Sequence, residues 1–452
     1  MASRSLLRRI RKLLQSKNWG KLKEVFQFLH PEDIADILQS LDKKEREEVF
    51  HRIPKEKVIE VFERLDVKDE LELLEGMDLK EAKKVLEEMA PDERADLFEE
   101  LSREEKEDFL KILEKEKRED VEKLLSYPEN SAASIMTTEV VVTRPWMTVE
   151  ETLEELRKQK DKKEDIYYLY VIDEENRVVG VLSLKDLIFN PGYKKIEEIM
   201  NPQVIKIKVD EDKEEAAKKL EKYDLMAVPV VDEEDRLQGV ITVDDAVETI
   251  EEEVTEDMLK MASMEAPEEE YFQTPLLVLI RKRIVWLIAL LLAQTISSLI
   301  LKGYSFALQS MVALAYFIPM LSGTAGNTGA QTSTIVIRGL ATGEISLIDI
   351  LKLMKREILA GLVIGIVLGG VGALRAFIFE RNILLTSLVG LALGVVVIIG
   401  NLGGVVFPLL FKRLKLDPAV ATGPFLATLM DILSLLIYFH LAVIFLRFVG
   451  TI

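Results

Sequence analysis

The sequence predicts a multidomain membrane protein. An all-α superhelical amino-terminal domain is followed by an α+β domain built from a tandem repeat, and then by an α-helical membrane domain of five spans. Three observations predict this. The charge balance changes sign near Arg283, one pattern of strands and helices occurs twice between residues 132 and 253, and five long apolar segments follow one another.

The first 283 residues carry 48 Lys and Arg against 72 Asp and Glu, whereas residues 284–452 carry 11 against 6. A soluble region at −24 repels nucleic acid and anionic lipid and attracts cations. Apolar residues recur throughout it, so it is not disordered. There are no cysteines, which excludes disulfides and thiolate metal sites. His30, His51 and His440 are scattered, leaving no histidine cluster for a metal. Without a catalytic His or Cys arrangement or a phosphate-binding glycine loop, the chain does not read as an enzyme.

Residues 1–130 read as helices. Met1 to Gln15 interleaves Arg4, Arg8, Arg9, Arg11 and Lys12 with Leu6, Leu7, Ile10, Leu13 and Leu14, a basic amphipathic helix without the unbroken apolar core of a signal peptide. Ile34, Ile37, Leu38 and Leu41 keep helical spacing, and Pro31, Pro54 and Pro91 stand where helices begin. The stretch Pro31 to Asp36 echoes Pro91 to Asp96, and short helices repeated in this way predict a small superhelix.

Residues 131–247 hold the tandem repeat. The first copy runs through Ile135-Met136-Thr137, Val140 to Val142, a helix from Thr148, the strand Tyr168 to Ile172, and Gly180 to Asp186. The second runs through Ile199-Met200-Asn201, Val204 to Ile207, a helix from Asp212, the strand Ala227 to Val231, and Gly239 to Asp245. Acidic turns beginning at Asp173 and Asp232 join the corresponding strands. The order and the residues resemble a tandem pair of CBS domains. Residues 248–270 then form an acidic linking helix with Glu251, Glu252 and Glu253 and a following segment.

The membrane domain, residues 271–452, begins with 18 uncharged residues from Ile284 to Leu301. Gly303 to Ile337 is a 35-residue uncharged run, too long for one straight span, in which Pro319, Gly323, Gly326 and Gly329 offer places to bend. Ile358 to Leu374, Asn382 to Phe411 and Pro418 to Leu446 complete five segments. Basic clusters at Arg281-Lys282-Arg283, Lys352-Lys355-Arg356 and Lys412-Arg413-Lys415 fall at alternate ends, which places the amino terminus in the cytoplasm and the carboxyl terminus outside.

Within the apolar segments one ionised side chain stands out, Asp431 in mid-span. A lone carboxylate in lipid costs at least about 2.5 kcal/mol, so it faces a pore, a cavity or a partner unless it is protonated. The second feature is the run from Pro319 to Gln331, where three glycines mix with Asn327, Gln331 and hydroxyl side chains. Such a run either bends to free carbonyls for a hydrated ion or packs helices closely through small residues.

These features, in this order, resemble the MgtE family of magnesium channels: paired CBS domains, an acidic linking helix, five spans, the Pro319 to Gln331 run and the late Asp431. The resemblance implies a homodimer in a bacterial or archaeal inner membrane, with its pore on the dimer axis. There Asp431 binds hydrated Mg2+, with Ala427 and Asn327 as neighbours. It also implies that cytosolic Mg2+ locks the linking helix over the pore, a negative feedback for magnesium homeostasis.

The regulatory candidates are acidic. Asp92 and Asp96 share a helix face in the stretch that matches a family ligand pair. Asp244, Asp245, Glu248, Glu251, Glu252, Glu256 and Asp257 line the end of the second repeat and the linking helix. Any one of these carboxylates is ordinary surface by itself, but as a set they repel until a divalent ion neutralises them. Ser183 with Asp186, and Thr242 with Asp245, have the spacing with which paired CBS domains grip the ribose of ATP. The competing class is a secondary transporter using Asp431 as a proton relay. A membrane-anchored sensor without transport leaves Asp431 and the Pro319 to Gln331 run unexplained.

Overall fold

The computed structural model describes residues 4–158, 167–265 and 274–448, so the end of the expected linking segment lies outside the described residues. The chain divides into two compact units, residues 1–251 and 252–452.

Ten α-helices open the first unit: α1 (Arg4–Gln15), α2 (Trp19–Phe28), α3 (Pro31–Gln39), α4 (Lys43–Phe50) and α5 (Val58–Phe62), then α6 (Val67–Gly76), α7 (Leu79–Glu88), α8 (Pro91–Glu100), α9 (Arg103–Ile112) and α10 (Lys115–Leu124). Pro31 and Pro91 are first-turn residues, as expected, while Pro54 leads into a 3-10 turn ahead of α5. Asp42 and Asp78 cap the starts of α4 and α7, and Ser102 with Glu105 forms a capping box on α9. Apolar faces from α1 to α10 bury one core that includes Ile10, Phe26, Ile37, Phe62, Leu86 and Phe98.

The repeat is finer than the Pro31 and Pro91 echo. Alternate helices begin at Trp19, Lys43, Val67, Pro91 and Lys115, each about 24 residues after the last. The echo paired an odd helix with an even one. One position carries a structural signature of the true period. Arg46 donates to the carbonyls of Leu38 (3.2 Å) and Leu41 (3.3 Å), and Arg94 donates to those of Leu86 (2.9 Å) and Met89 (3.0 Å). Arg118 donates to the Leu113 carbonyl at 3.3 Å. Buried guanidinium groups thus close the carbonyl ends of the preceding helices.

The tandem repeat builds two three-stranded sheets, β1 (Val142–Thr143), β2 (Tyr168–Ile172) and β3 (Val178–Ser183), then β4 (Ile207–Lys208), β5 (Ala227–Val231) and β6 (Leu237–Thr242). Their helices are α11 (Val149–Lys158), α12 (Leu184–Phe189), α13 (Ile196–Ile199) and α14 (Lys213–Lys222). In each copy the first strand is parallel to the second and the second forms an antiparallel hairpin with the third. The hairpin turns match atom for atom. Asp173 and Asp232 each accept their own turn's Arg N–H at 2.8 Å, while Asn176 and Asp235 take positive φ. The copies also exchange edges: Thr137 pairs with Val240, and Asn201 with Val181, through reciprocal backbone bonds of 2.8–3.0 Å. A joint core of Tyr170, Ile172, Val178, Ala227, Val231 and Val240 seals the two copies together.

The linking helix α15 (Val243–Met261) starts five residues earlier than the charge pattern indicated, because Thr242 and Asp245 anchor its first turn directly after β6. The second unit continues with α16 (Leu276–Gly303), α17 (Ser305–Ser310), α18 (Ile318–Ala341), α19 (Ile350–Glu380), α20 (Ile383–Arg413) and α21 (Gly423–Phe448). Among the described residues, four helical stretches are long and apolar enough to cross a membrane: Leu276–Gly303, Leu347–Glu380, Ile383–Arg413 and Pro418–Phe448. The fifth expected segment is α18. Its 24 residues have the length, but their Gly, Ser, Thr, Asn and Gln content lowers its hydropathy, and one side of it is buried in the bundle.

The long uncharged run breaks before Pro319, at α17 and a 3-10 turn over Val312–Phe317. Gly323, Gly326 and Gly329 lie inside a continuous α18, so the expected bend at the glycines is corrected: two of them serve close packing. A Cβ at Gly329 would stand 3.3 Å from the Gly400 carbonyl oxygen of α20, and one at Gly326 would stand 3.5 Å from the Ala427 Cβ. The α19–α20 contact is tighter still, since a Cβ at Gly365 would meet the Gly394 carbonyl at 2.8 Å. Replacing Gly365 by Leu should therefore force these helices apart and cost about 1–3 kcal/mol. A lowered thermal midpoint of the detergent-purified full chain checks this, and an unchanged midpoint counts against it.

Candidate cation sites

Asp431 sits near the middle of α21 and is half-buried. Gln294 of α16 donates from Nε2 to Asp431 Oδ2 at 3.1 Å, and the Ser434 hydroxyl donates to the Asp431 backbone carbonyl at 2.9 Å. An amide therefore solvates one carboxylate oxygen. The same face of α21 runs antiparallel to α18. The Ser322 and Ser434 hydroxyls lie 3.2 Å apart at one end, Gly326 meets Ala427 in the middle, and Gly329 meets Leu426 and Met430 at the other end. Ala427 is half-buried one turn before Asp431, and Asn327 is exposed next to Gly326. Of the three expected pore residues, Ala427 thus lies at the α18–α21 contact, Asp431 lies one turn further along α21 and bonds to α16, and Asn327 is exposed on α18. Gln331 of α18 is exposed as well.

Two polar groups in this unit escaped the sequence reading. Gln294 is an amide within an otherwise apolar segment, a signal that could have been weighed. Glu357 was hidden beside the basic cluster Lys352-Lys355-Arg356. Its carboxylate accepts the Thr332 hydroxyl of α18 and the Asn401 amide of α20, each at 3.3 Å, and so cross-braces three helices.

The soluble candidates form a second site. Asp92 lies in the first turn of α8, and burial, followed by Asp96 and Glu63, raises its carboxyl above the ordinary range. Asp245 is raised by burial and then by Asp92 and Asp244. The structure thus brings Asp92, Asp96, Asp244 and Asp245 into one electrostatic neighbourhood, as their spacing could not reveal. It adds Glu63, Asp66, Glu70 and Glu93, which sequence reasoning missed because the folding of separate helices, not spacing, brings them to the cluster. Glu70 is 3% exposed, and burial together with Glu63, Asp96 and Asp66 pushes it up to about 9. Burial and the carboxylates of Asp92, Glu70, Glu63 and Asp96 push Glu93 up to about 9. Glu63 Oε1 also accepts the Ala90 N–H at 2.7 Å and so fixes the start of α8. One oxygen of Asp92, Oδ1, is buried without a hydrogen bond.

These carboxylates share a field without converging on a point. Among the described residues no group of three or more His, Cys, Asp or Glu is arranged to hold a metal ion. Further along α15, Glu248, Glu251 and Glu252 are exposed and Asp257 is half-buried. Glu256 is engaged elsewhere, accepting from Lys260 at 2.7 Å.

The nucleotide candidates have a local role. Ser183 Oγ donates to Asp186 at 2.6 Å and accepts its N–H at 3.2 Å, which starts α12. Thr242 Oγ1 donates to Asp245 at 2.5 Å, which starts α15. Both pairs cap helices, and Asp245 also belongs to the acidic cluster. In the joint between the repeats, the buried Tyr170 hydroxyl has no hydrogen-bond partner among the described residues.

The raised carboxyls carry a sign. Below about pH 4.5 Glu70 and Glu93 are protonated in folded and unfolded chains alike; between there and about 9 the unfolded chain ionises first, so stability falls as pH rises. Without divalent ions, amide exchange in α6 and α8, corrected for its intrinsic pH dependence, should be faster at pH 8.5 than at pH 5.5. Glu70→Gln with Glu93→Gln should flatten the difference. Equal protection at both pH values in the unmodified chain would contradict the buried cluster.

Comparison with known proteins identifies the family. Residues 318–441 match the family model described as a divalent cation transporter, MgtE, and residues 29–130 match the MgtE intracellular N domain. Residues 132–191 and 196–252 each match the CBS domain. The chain is 41% identical to the magnesium transporter MgtE of Thermus thermophilus over 316 residues, 70% of both chains. It is 39% identical to that of Bacillus subtilis over 323 residues, 72% of this chain and 71% of that one. A crystal structure of the cytosolic domain of the Mg2+ channel MgtE in complex with ATP superposes with a TM-score of 0.51 at 37% identity, covering 53% of this chain and 98% of that one. The soluble part of a magnesium transporter superposes with a TM-score of 0.50 at 34% identity, covering 55% and 97%. With two curated magnesium transporters matched over some 70% of their length, and with model matches to the intracellular domain, the paired CBS domains and the transporter domain, the chain belongs to the MgtE family of magnesium transporters.

Proposed function

We propose that this chain is a Mg2+-selective channel for magnesium uptake. It works as a homodimer in a bacterial or archaeal inner membrane, with its amino terminus in the cytoplasm and its carboxyl terminus outside. The placement of Asp431 carries the reading: a carboxylate within an apolar helix, solvated by the Gln294 amide and one turn from Ala427, where α21 meets α18, with Asn327 exposed on α18 next to that contact. Mg2+ gives up its water reluctantly, so a site of amides and carboxylate oxygens suits the hydrated ion. Two copies of Asp431 around a two-fold axis supply −2, and the width between them sets selectivity. No enzymatic step is called for.

Cytosolic Mg2+ closes the pore by neutralising the acidic set. Asp92, Asp96, Asp244 and Asp245, with Glu63, repel one another beside the protonated Glu70 and Glu93, and a divalent ion relieves this, drawing α8 and the start of α15 together. Glu248, Glu251, Glu252 and Asp257 extend the same negative surface along the linking helix. ATP modulates the assembly at the paired CBS domains. The ATP-bound relative and the unpartnered Tyr170 hydroxyl between the repeats support this.

Asp431→Ala should abolish uptake, a fall of at least about 100-fold in liposome flux, while expression is unchanged; normal uptake would overturn the pore assignment. Patch-clamp recording of the purified protein with magnesium varied on the cytoplasmic face separates a channel from a proton-coupled carrier. In the same recording Asp92→Asn with Asp245→Asn should raise the half-closing magnesium concentration about tenfold. An unchanged inhibition curve would remove these residues from the sensor.

A further inference from the structure

The linking helix has a second anchor at its far end, wholly within residues 252–452. Lys260, in the last turn of α15, donates to Glu256 Oε1 at 2.7 Å and to Asp417 Oδ2 at 2.8 Å. Asp417 in turn accepts the Ala419 N–H at 2.8 Å and starts the 3-10 turn Pro418–Ala421, which leads into α21. The same joint carries a close backbone approach. Gly423, the first residue of α21, has φ +49, and a Cβ there would collide with the Met261 carbonyl oxygen. A cavity of about 310 Å3, lined by Glu256, Lys260, Ser263, Met264, Trp286 and Val420 among others, lies against the joint. Charge, more than side-chain packing, therefore holds it on that side.

We infer that Lys260 is a positioning residue that couples the linking helix to the Asp431 helix, through a fixed ammonium clasped by Glu256 and Asp417. The inference rests on the gating reading above. Asp417 stands six residues before the start of α21 and fourteen before Asp431, so a pull on Lys260 reaches the head of the helix bearing the pore carboxylate. Two carboxylates facing each other across this joint would otherwise need a mobile cation. A lysine supplies the charge covalently, so the joint stays closed at any magnesium concentration and only transmits what the acidic cluster senses.

The test records current through the full-length chain in inside-out patches as magnesium on the cytoplasmic face is raised. Lys260→Met should conduct normally at low magnesium but need at least about threefold more magnesium for half-closure, the scale of one partly exposed ion pair. Lys260→Arg keeps the cation and should close as the unmodified chain does. A Lys260→Met curve equal to the unmodified one overturns the coupling, and so does a Lys260→Arg curve shifted as far as that of Lys260→Met. Loss of current at low magnesium in Lys260→Met would put the residue in conduction and likewise overturn it. If the unmodified chain itself shows no inhibition by magnesium, the gating reading fails and the coupling fails with it.

Discussion

A carboxylate taken out of water needs a cation, a set of donors or a proton, and most of this molecule is arranged around which of the three each acid receives. Asp69 and Glu72 receive Arg46, and Asp417 and Glu256 receive Lys260. Asp431 and Glu357 receive neutral donors from Gln294, Thr332 and Asn401. At Glu70 and Glu93 burial acts first and the nearby charges are other carboxylates, so those two hold protons at neutral pH. Where the fold supplies neither counter-charge nor donors, the proton itself keeps the acid neutral.

In the second unit the constraint is steric. Lipid gives apolar helices no hydrophobic reason to associate, so their backbones must come close enough for dispersion and carbonyl contacts to hold them. The glycines at 361, 365 and 369 of α19 face α20, and those at 400 and 404 of α20 face α18. This leaves α18 clasped between α20 and α21 with a polar edge, Asn327 and Gln331, still exposed. The rigidity of that packing is what allows a polar edge to be presented at a fixed position.

Much of this was legible in the sequence. Proline positions, the duplicated strand pattern and the uncharged runs located the helices, the two sheets and the membrane segments, because local geometry and solvent preference act over a few residues. Asp431 declared itself by being charged in an apolar run. The acidic cluster was only half legible: Asp92 and Asp96 share a helix face, but Glu63, Asp66 and Glu70 join them through folding of separate helices. Gly326 and Gly329 were ambiguous between bending and packing, since composition alone does not say whether a partner backbone lies opposite. Lys260 gave no signal at all, being one lysine among many until Asp417 is seen beside it.

The recurrence of the arginine position has a consequence for how the soluble unit is tuned. Counting 24 residues from Arg46 toward Arg94 lands on Glu70, and the next step after Arg94 is Arg118. Three members of the series staple a neighbouring helix end with a positive group, whereas the fourth, Glu70, puts a protonated carboxyl in the same architecture. The scaffold therefore contains its own weak link, a rung that gives up a helix-closing guanidinium for a buried acid whose ionisation loosens the ladder from within.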